Sequence, residues 1–382
     1  MLEEIPVSIY RGGTSKGVFI DEKVLPTDKD ARDKILLKLM GSPDIRQING
    51  LGGAVSTTSK VAIISKEEKE DWDVNYTFAQ VAVDKPVVSY SGNCGNISSA
   101  VGIYAIENQL VETSSPTTMV RVYNTNTKKV INEYIPTPDG KLTYEGDFAI
   151  SGVPGKGIKI ELQFVEPSGA FSGKLLPTGN TKDTLVLENG QELTVSLVDA
   201  ANPLVYVRAE DLGLEGTESP EMIDSDLELL ARLEEIRGRA AKLMGLIDKL
   251  EDSAVITPGV PKLTVVSAPK TYVTTENEKI EAANFDLAVR MMSMQKAHKS
   301  IALTGALCTG AASKIKGTIP YELVSDKNLG NQLEIAHSSG KISVSIDYET
   351  SDNETLIKSV SSYRTARKIM VGTAFIEEDR IC

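Results

Sequence analysis

The stretch Ser91–Leu110, SGNCGNISSAVGIYAIENQL, constrains the fold more than any other. A turn of small residues carrying one cysteine runs directly into a helix pattern that is apolar on nearly every side. From Ile97 onward, Ala100, Val101, Tyr104 and Ala105 recur at helical spacing with Ile103 and Ile106 between them, which predicts a helix with little solvent face, inside its domain. Its first turn is then buried too, and the backbone N–H groups there have no intrahelical partners. With the macrodipole they form a socket for an anion or a thiolate. Gly92 and Gly95 permit close backbone approach, Asn93 and Asn96 suit capping, and Cys94 stands at the helix head. Taken alone, Cys94 is more often a buried structural cysteine in a small-residue turn.

A chain of 382 residues is too long for one small core. Two domains are expected, residues 1–184 and 185–382, with the last strand free to return to the first. The formal charge of −12 disfavours a broad nucleic-acid surface or attachment to an anionic membrane. It also makes cations in glycine-rich stretches notable, because an anionic substrate has to be gathered against the field of the whole protein. The N-terminus MLEEIPVSIY carries no basic-then-apolar leader and no run is long enough to span a bilayer, so a cytoplasmic protein is expected. Cys94, Cys308 and Cys382 are widely spaced, unlike a disulfide framework. His298 and His337 show no metal-site spacing, so no structural metal is expected.

Along the chain, the segment RGGTSKG joins two predicted strands and sets Arg11 and Lys16 beside Ser15 in an anion-nest composition, without the spacing of a Walker A loop. Asp28–Met40 reads as an amphipathic helix capped by Thr27 or Asp28 and stopped at Gly41. A glycine- and hydroxyl-rich loop containing Ser56 then delivers Lys60 to the start of an apolar strand. Lys60 is there either a snorkelling surface residue, the commoner outcome, or a desolvated amine. PTGN, with Thr178, Gly179 and Asn180, is a further polar turn, and Asp224–Leu250 reads as a long amphipathic helical stretch. The second half repeats the order of the first: Lys262 precedes an apolar strand, Arg290 and His298 follow, and ALTGALCTGAA reads as a second small-residue helix headed by Thr304 and Gly305.

Taken together, RGGTSKGVF, GSPD, SKVAII, FAQV, GNCGNISSAVG, PTGN, GTE, EEIRGRAAKLMGLI, VRMMSM with His298, and HSSGKISV resemble the PrpF family. The resemblance runs from Arg11 to about Arg367. It implies a diaminopimelate-epimerase-like α+β fold of two pseudo-symmetric domains, each a curved sheet around a central helix, with the active site between them. It implies a cofactor-independent isomerase moving a proton on an unsaturated di- or tricarboxylate such as methylaconitate, methylitaconate or oxalomesaconate, with Lys60 and Cys94 catalytic. Substrate contacts are expected from Arg11, Ser15, Lys16, Ser56, Asn93, Gly95, Asn96, Thr178, Gly179, Asn180, Arg290, His298, Thr304 and Gly305. A homodimer is the base-rate expectation. Two other readings stay open at this level: a two-thiol racemase or epimerase pairing Cys94 with Cys308, and a carboxylate-binding accessory protein without catalysis.

Overall fold

The computed structural model describes residues 2–324, 330–351 and 354–377; Cys382 lies outside the described residues. The chain forms two compact units, Met1–Leu162 with Arg364–Cys382, and Gln163–Tyr363. The boundary expected at 184/185 instead falls at 162/163. The reason lies in the backbone: Gly169 and Ala201 N–H donate to the carbonyls of Asp199 and Pro167, and Asp199 N–H donates to Leu175, binding the segment after residue 163 to the second unit.

The first unit contains β1 (Leu2–Gly12), β2 (Ser15–Asp21), α1 (Lys29–Met40), β3 (Lys60–Lys66), β4 (Val74–Val81), β5 (Val88–Ser89), α2 (Gly95–Ser98), α3 (Val101–Glu107), β6 (Thr117–Asn124) and β7 (Lys129–Pro136). Helix α1 starts and stops as its sequence dictates. The Asp28 carboxylate accepts from Ala31 N–H at the N-terminus, and Gly41 takes the left-handed conformation that ends the helix. Pairing runs antiparallel β1–β2, parallel β2–β3, antiparallel β3–β4, parallel β4–β6 and antiparallel β6–β7, with β5 also on β4. β8 (Ile160–Val165) leads out of this unit and β19 (Glu354–Arg364) leads back. β20 (Ala366–Glu377) pairs antiparallel with β1.

The second unit contains β9 (Asp183–Val186), β10 (Glu192–Ala200), β11 (Asn202–Arg208), α4 (Pro220–Ser225), α5 (Leu227–Leu243), α6 (Ser253–Ile256), β12 (Lys262–Ser267), β13 (Tyr272–Val273), β14 (Lys279–Ile280), β15 (Leu287–Ser293), β16 (Lys296–Ala297), α7 (Leu303–Ala312), α8 (Ile319–Val324), β17 (Gln332–His337) and β18 (Gly340–Ser351). Its pairing repeats the sequence of the first: antiparallel β10–β11, parallel β11–β12, antiparallel β12–β15, parallel β15–β17, antiparallel β17–β18. The duplication inferred from element order is therefore a duplication of topology. The long helical stretch expected over Asp224–Leu250 ends at Leu243, where Gly245 turns left-handed, and Asp226 caps its start.

Alternation along the strands gives each sheet two faces. In the first unit, Val18, Ile20, Val61, Ile63, Ala79 and Val81 pack in one core with Leu36, Leu39 and Met40 of α1. The opposite face carries Gly17, Phe19, Lys60, Phe78 and Gln80, and it looks onto α2 and α3: Phe19 lies 5.9 Å from Tyr104 between ring centroids, and a Cβ on Gly17 would sit 3.1 Å from Ile97. Every residue of α2, and of α3 from Val101 to Ile106, is buried. The central element is broken, however, rather than one continuous helix. Ser98 and Ser99 hydroxyls donate to the carbonyls of Cys94 and Asn96, competing with the helical ladder where α2 gives way to α3.

One buried acid lies against α3. Glu133 on β7 accepts from Gly102 N–H, and its full burial raises its pKa well above the usual carboxylate range. A carboxyl with a raised folded pKa contributes stability at low pH and loses it as pH rises through the folded value. Glu133→Gln should therefore raise thermal stability at pH 8, by about 1 kcal/mol or more, and have less effect at pH 4. A lowered melting temperature at pH 8 would contradict this.

Candidate functional site

The first unit gathers most of the expected polar residues around one turn. The β1–β2 hairpin pairs Gly12 with Ser15 and Arg11 with Lys16, leaving Gly13 and Thr14 at its tip. This tip is pressed against the start of α2. A Cβ on Gly12 would come within 2.3 Å of the Asn96 carbonyl, and one on Gly13, which has φ of +51°, within 2.3 Å of Asn96 Oδ1. Only glycine allows that approach. The Asn96 amide donates to Thr14 Oγ1 at 3.1 Å.

Lys60 opens β3 on the face turned toward α2. The residue is 9% exposed, so the snorkelling alternative is set aside. The amine donates to Gln80 Oε1 at 2.6 Å and lies 5.0 Å from the centre of the Phe78 ring. Gln80 is the antiparallel register partner of Lys60. Its own amide donates to the carbonyls of Ser56 at 3.1 Å and Ser59 at 2.8 Å, so the amide oxygen is fixed in direction. Gln80 thus holds the amine without offering it a counter-charge. Ser56 reaches this cluster through its backbone.

Cys94 caps α2 and is partly exposed. Its Sγ lies 3.9 Å from Ser15 Oγ, which ties it to the hairpin. Ser15 stands two residues before Gly17, the parallel neighbour of Lys60 by extension of the β2–β3 register, so Ser15 and Lys60 leave the sheet on the same face. Asn93 Oδ1 accepts from Asn124 at 3.1 Å, while Asn93 Nδ2 is buried without a partner, a donor beside Cys94 that is left unused. Gly95 is buried in the first turn.

The anion socket expected from a helix macrodipole needs correction. Helix α2 has only four residues, too few aligned peptides to build a sizeable dipole. Positive charge is supplied instead by Arg364, which sequence reasoning missed. Its Nε donates to Asn96 Oδ1 at 2.8 Å, and its charge interacts with Cys94. Burial pushes the Arg364 pKa down to about 10. Arg364 therefore stays cationic at neutral pH. Nothing local in the sequence marks it, since 268 positions separate it from Asn96.

Arg11 is engaged by backbone at the hairpin tip. Its guanidinium donates to the carbonyls of Gly13 at 2.9 Å and Thr365 at 2.8 Å, clamping the hairpin tip to the chain just before β20. Burial and the neighbouring Arg367 lower its pKa. Lys16, half-buried, lies across the hairpin from it.

The second unit holds the remaining candidates. Thr304 is the second residue of the ten-residue, fully buried α7. Its hydroxyl has no partner, and neither does the amide nitrogen or oxygen of fully buried Asn202. Three contacts place α7 and α8 along β10 and β11: Ile319 N–H reaches Ser196, Cys308 reaches the Val198 carbonyl, and Tyr206 reaches Thr309. The head of α7 accordingly points toward the Ala200–Asn202 turn, which carries Asn202. Gly305 is a packing glycine, since a Cβ there would come within 2.3 Å of Met291. His298 accepts from Ser300 N–H through Nδ1, half-exposed in the turn before α7.

Arg290 and the PTGN turn are not brought to that helix head. Met291 faces α7, so the adjacent Arg290 leaves β15 on the other face of the sheet, where its register partner Val265 packs in the α5 core. In PTGN, Thr178 and Asn180 side chains both donate to the Asp183 carboxylate, at 2.8 and 2.9 Å, and Gly179 supplies a left-handed turn. Their hydrogen bonds close that turn on itself. Among the described residues no group of three or more His, Cys, Asp or Glu side chains is arranged to hold a metal ion, and no helix is long and apolar enough to cross a membrane.

Cys308 lies inside α7 and its thiol is pushed up to about 12 by burial, which makes it a poor base at neutral pH and weakens the two-thiol reading. At pH 8, iodoacetamide should label Cys94 in the native protein and Cys308 only after unfolding. The thiol ionises near 9 in an unfolded chain, so its contribution to stability is lost as pH climbs from about 9 toward 12. Cys308→Ala should flatten that part of the stability profile; peptide mapping that finds native Cys308 alkylated as fast as Cys94 would overturn both expectations.

Comparison with known proteins agrees with this architecture. The family model described as PrpF protein matches residues 2–377. A Bacillus subtilis (strain 168) protein, YraM, is 47% identical over 98% of both chains. The 3-methylitaconate isomerase of Eubacterium barkeri is 40% identical over 99% of this chain and 98% of its own. The 2-methyl-aconitate isomerase of Shewanella oneidensis (strain ATCC 700550 / JCM 31522 / CIP 106686 / LMG 19005 / NCIMB 14063 / MR-1) is 37% identical over 97% of this chain and 96% of its own. Among solved structures, a methylitaconate-delta-isomerase superposes with a TM-score of 0.79 at 40% identity, covering 98% of this chain and 96% of that one. A hydroxyproline epimerase from Agrobacterium vitis shares the fold alone, with a TM-score of 0.57 at 11% identity and coverage of 98% and 94%. The α+β, diaminopimelate-epimerase-like fold expected from the sequence is thereby established.

Proposed function

The chain belongs to the PrpF family, and on that premise we propose that it is an isomerase that shifts a proton on an unsaturated di- or tricarboxylate, with Lys60 as the base. The observation that carries this reading is the Lys60 amine: withdrawn from bulk water, aimed by a neutral amide, and on the sheet face that also bears Ser15, the neighbour of Cys94.

In this reading the C–H bond next to the conjugated carboxylate breaks, its proton passes to Lys60 Nζ, and the electron pair delocalises into a dienolate. A proton then returns to the same carbon or to the allylic one. Cys94 faces the substrate as acid or as a shaping group. The unpartnered Asn93 donor, together with the charge of Arg364 nearby, supports the developing negative charge. The substrate class is carried over from the relatives named for 3-methylitaconate and 2-methylaconitate.

In deuterated water, wild-type protein should introduce deuterium into 3-methylitaconate or 2-methylaconitate, and Lys60→Ala should slow that exchange by about 1,000-fold while melting unchanged. Exchange at the wild-type rate in that variant would remove Lys60 from the role. Gln80→Glu, which gives the amine a counter-charge, should lower kcat by roughly 10-fold or more with little change in KM. An unaltered kcat would show that the neutrality of this partner is unimportant.

A further inference from the structure

The other face of the second unit's sheet carries a pocket that the proposed reaction does not use. It has a volume of about 250 Å³, and three of the motifs on which the family resemblance rests meet there: GTE at residues 216–218, the arginine of VRMMSM, and HSSG at residues 337–340. Arg290 forms part of its wall and is only 3% exposed. The guanidinium donates through Nε to the Glu218 carbonyl at 2.6 Å and through Nη1 to the Val289 carbonyl at 2.9 Å, and it lies 5.0 Å from the centre of the Tyr272 ring. Tyr272 is itself pinned by donating to the carbonyls of His337 and Gly340.

Two carbonyls and a ring do not satisfy a guanidinium, which has five N–H donors in a planar fork. Among the described residues, no carboxylate lies within ion-pair distance of Arg290. The Glu218 carboxylate, also on the pocket wall, accepts from Glu215 and Gly216 N–H on its own loop and acts on Arg290 through its charge without pairing with it. A buried cation with unused donors facing a cavity matches a planar carboxylate, which can accept two parallel N–H bonds. Around it stand Thr217, Thr275, Asn277 and Ser338, groups suited to hydrogen bonds, with exposed Glu221 also on the wall. The acidic neighbours disfavour a dianion, and the volume is below that of ordinary ligand pockets, about 300–1,000 Å³.

We propose that this pocket binds a small monocarboxylate bearing a hydroxyl or ammonium group on the adjacent carbon, its carboxylate seated on Arg290. None of the lining residues is Lys60, Cys94 or Thr304, so the proposal stands apart from the isomerase reading.

The test uses the full chain and saturation-transfer NMR with L-lactate, L-serine, acetate and inorganic phosphate as probes. L-lactate or L-serine should bind wild-type and Lys60→Ala protein equally and acetate more weakly. Thr275→Phe, which fills the exposed mouth without touching the core, should weaken that binding at least 10-fold with an unchanged melting temperature; Arg290→Gln should do the same if folded. The proposal is overturned if neither probe binds the wild type, if only phosphate binds, if Thr275→Phe binds normally, or if Lys60→Ala abolishes binding.

Discussion

The close approach of the β1–β2 hairpin tip to the start of α2 is the contact on which the first unit's site depends. Gly12, Gly13 and Gly17 leave no room for side chains where Asn96, Ile97 and Lys60 press against them. Because the backbone can come this near, Ser15 touches Cys94, Asn96 spans from Thr14 to Arg364, and Lys60 emerges beneath the same element. A methyl group at Gly12 would have to push α2 off the sheet, and every one of those contacts would lengthen. Packing and chemistry are therefore set by the same few atoms.

The two units share a topology but assign different chemistry to equivalent places. In each, a hairpin is followed by a parallel strand that opens on a lysine, Lys60 in one and Lys262 in the other. Counting from the hairpin turns, Ser15 and Asn202 correspond, and so do Gly17 and Leu204. Lys60 is buried and held by Gln80, whereas Lys262 is partly exposed and donates to the nearby Gly259 carbonyl. The second unit offers unpartnered polar groups, Asn202 and Thr304, where the first offers an amine and a thiol. The same pairing order thus occurs twice, and the residues at a few inward positions differ between the two units.

Much of this was legible in the sequence because it rests on local pattern. The buried helices around residues 101–107 and 303–312 follow from apolar periodicity, the α1 ends from Asp28 and Gly41, and the Cys94 turn from its glycines and asparagines. What required coordinates depended on register. Gln80 is an ordinary strand glutamine until pairing sets it opposite Lys60, and Arg290 changes faces with a single step along β15. Arg364 returns to the first unit only because the chain does. In the polar PTGN turn, hydroxyl and amide groups that look free in sequence donate to Asp183, three to five residues on, a pairing that only the folded turn reveals.

Everything in the functional account comes down to whether an organic acid lies against the Lys60 amine. A crystal structure with methylsuccinate, a saturated mimic that cannot react, tests this most directly. With Lys60 as the base, a methine or methylene carbon next to a carboxylate should lie within about 3.5 Å of Lys60 Nζ, with Asn93 Nδ2 donating to the ligand. Methylsuccinate bound elsewhere, with Lys60 still engaged only by Gln80, would contradict it.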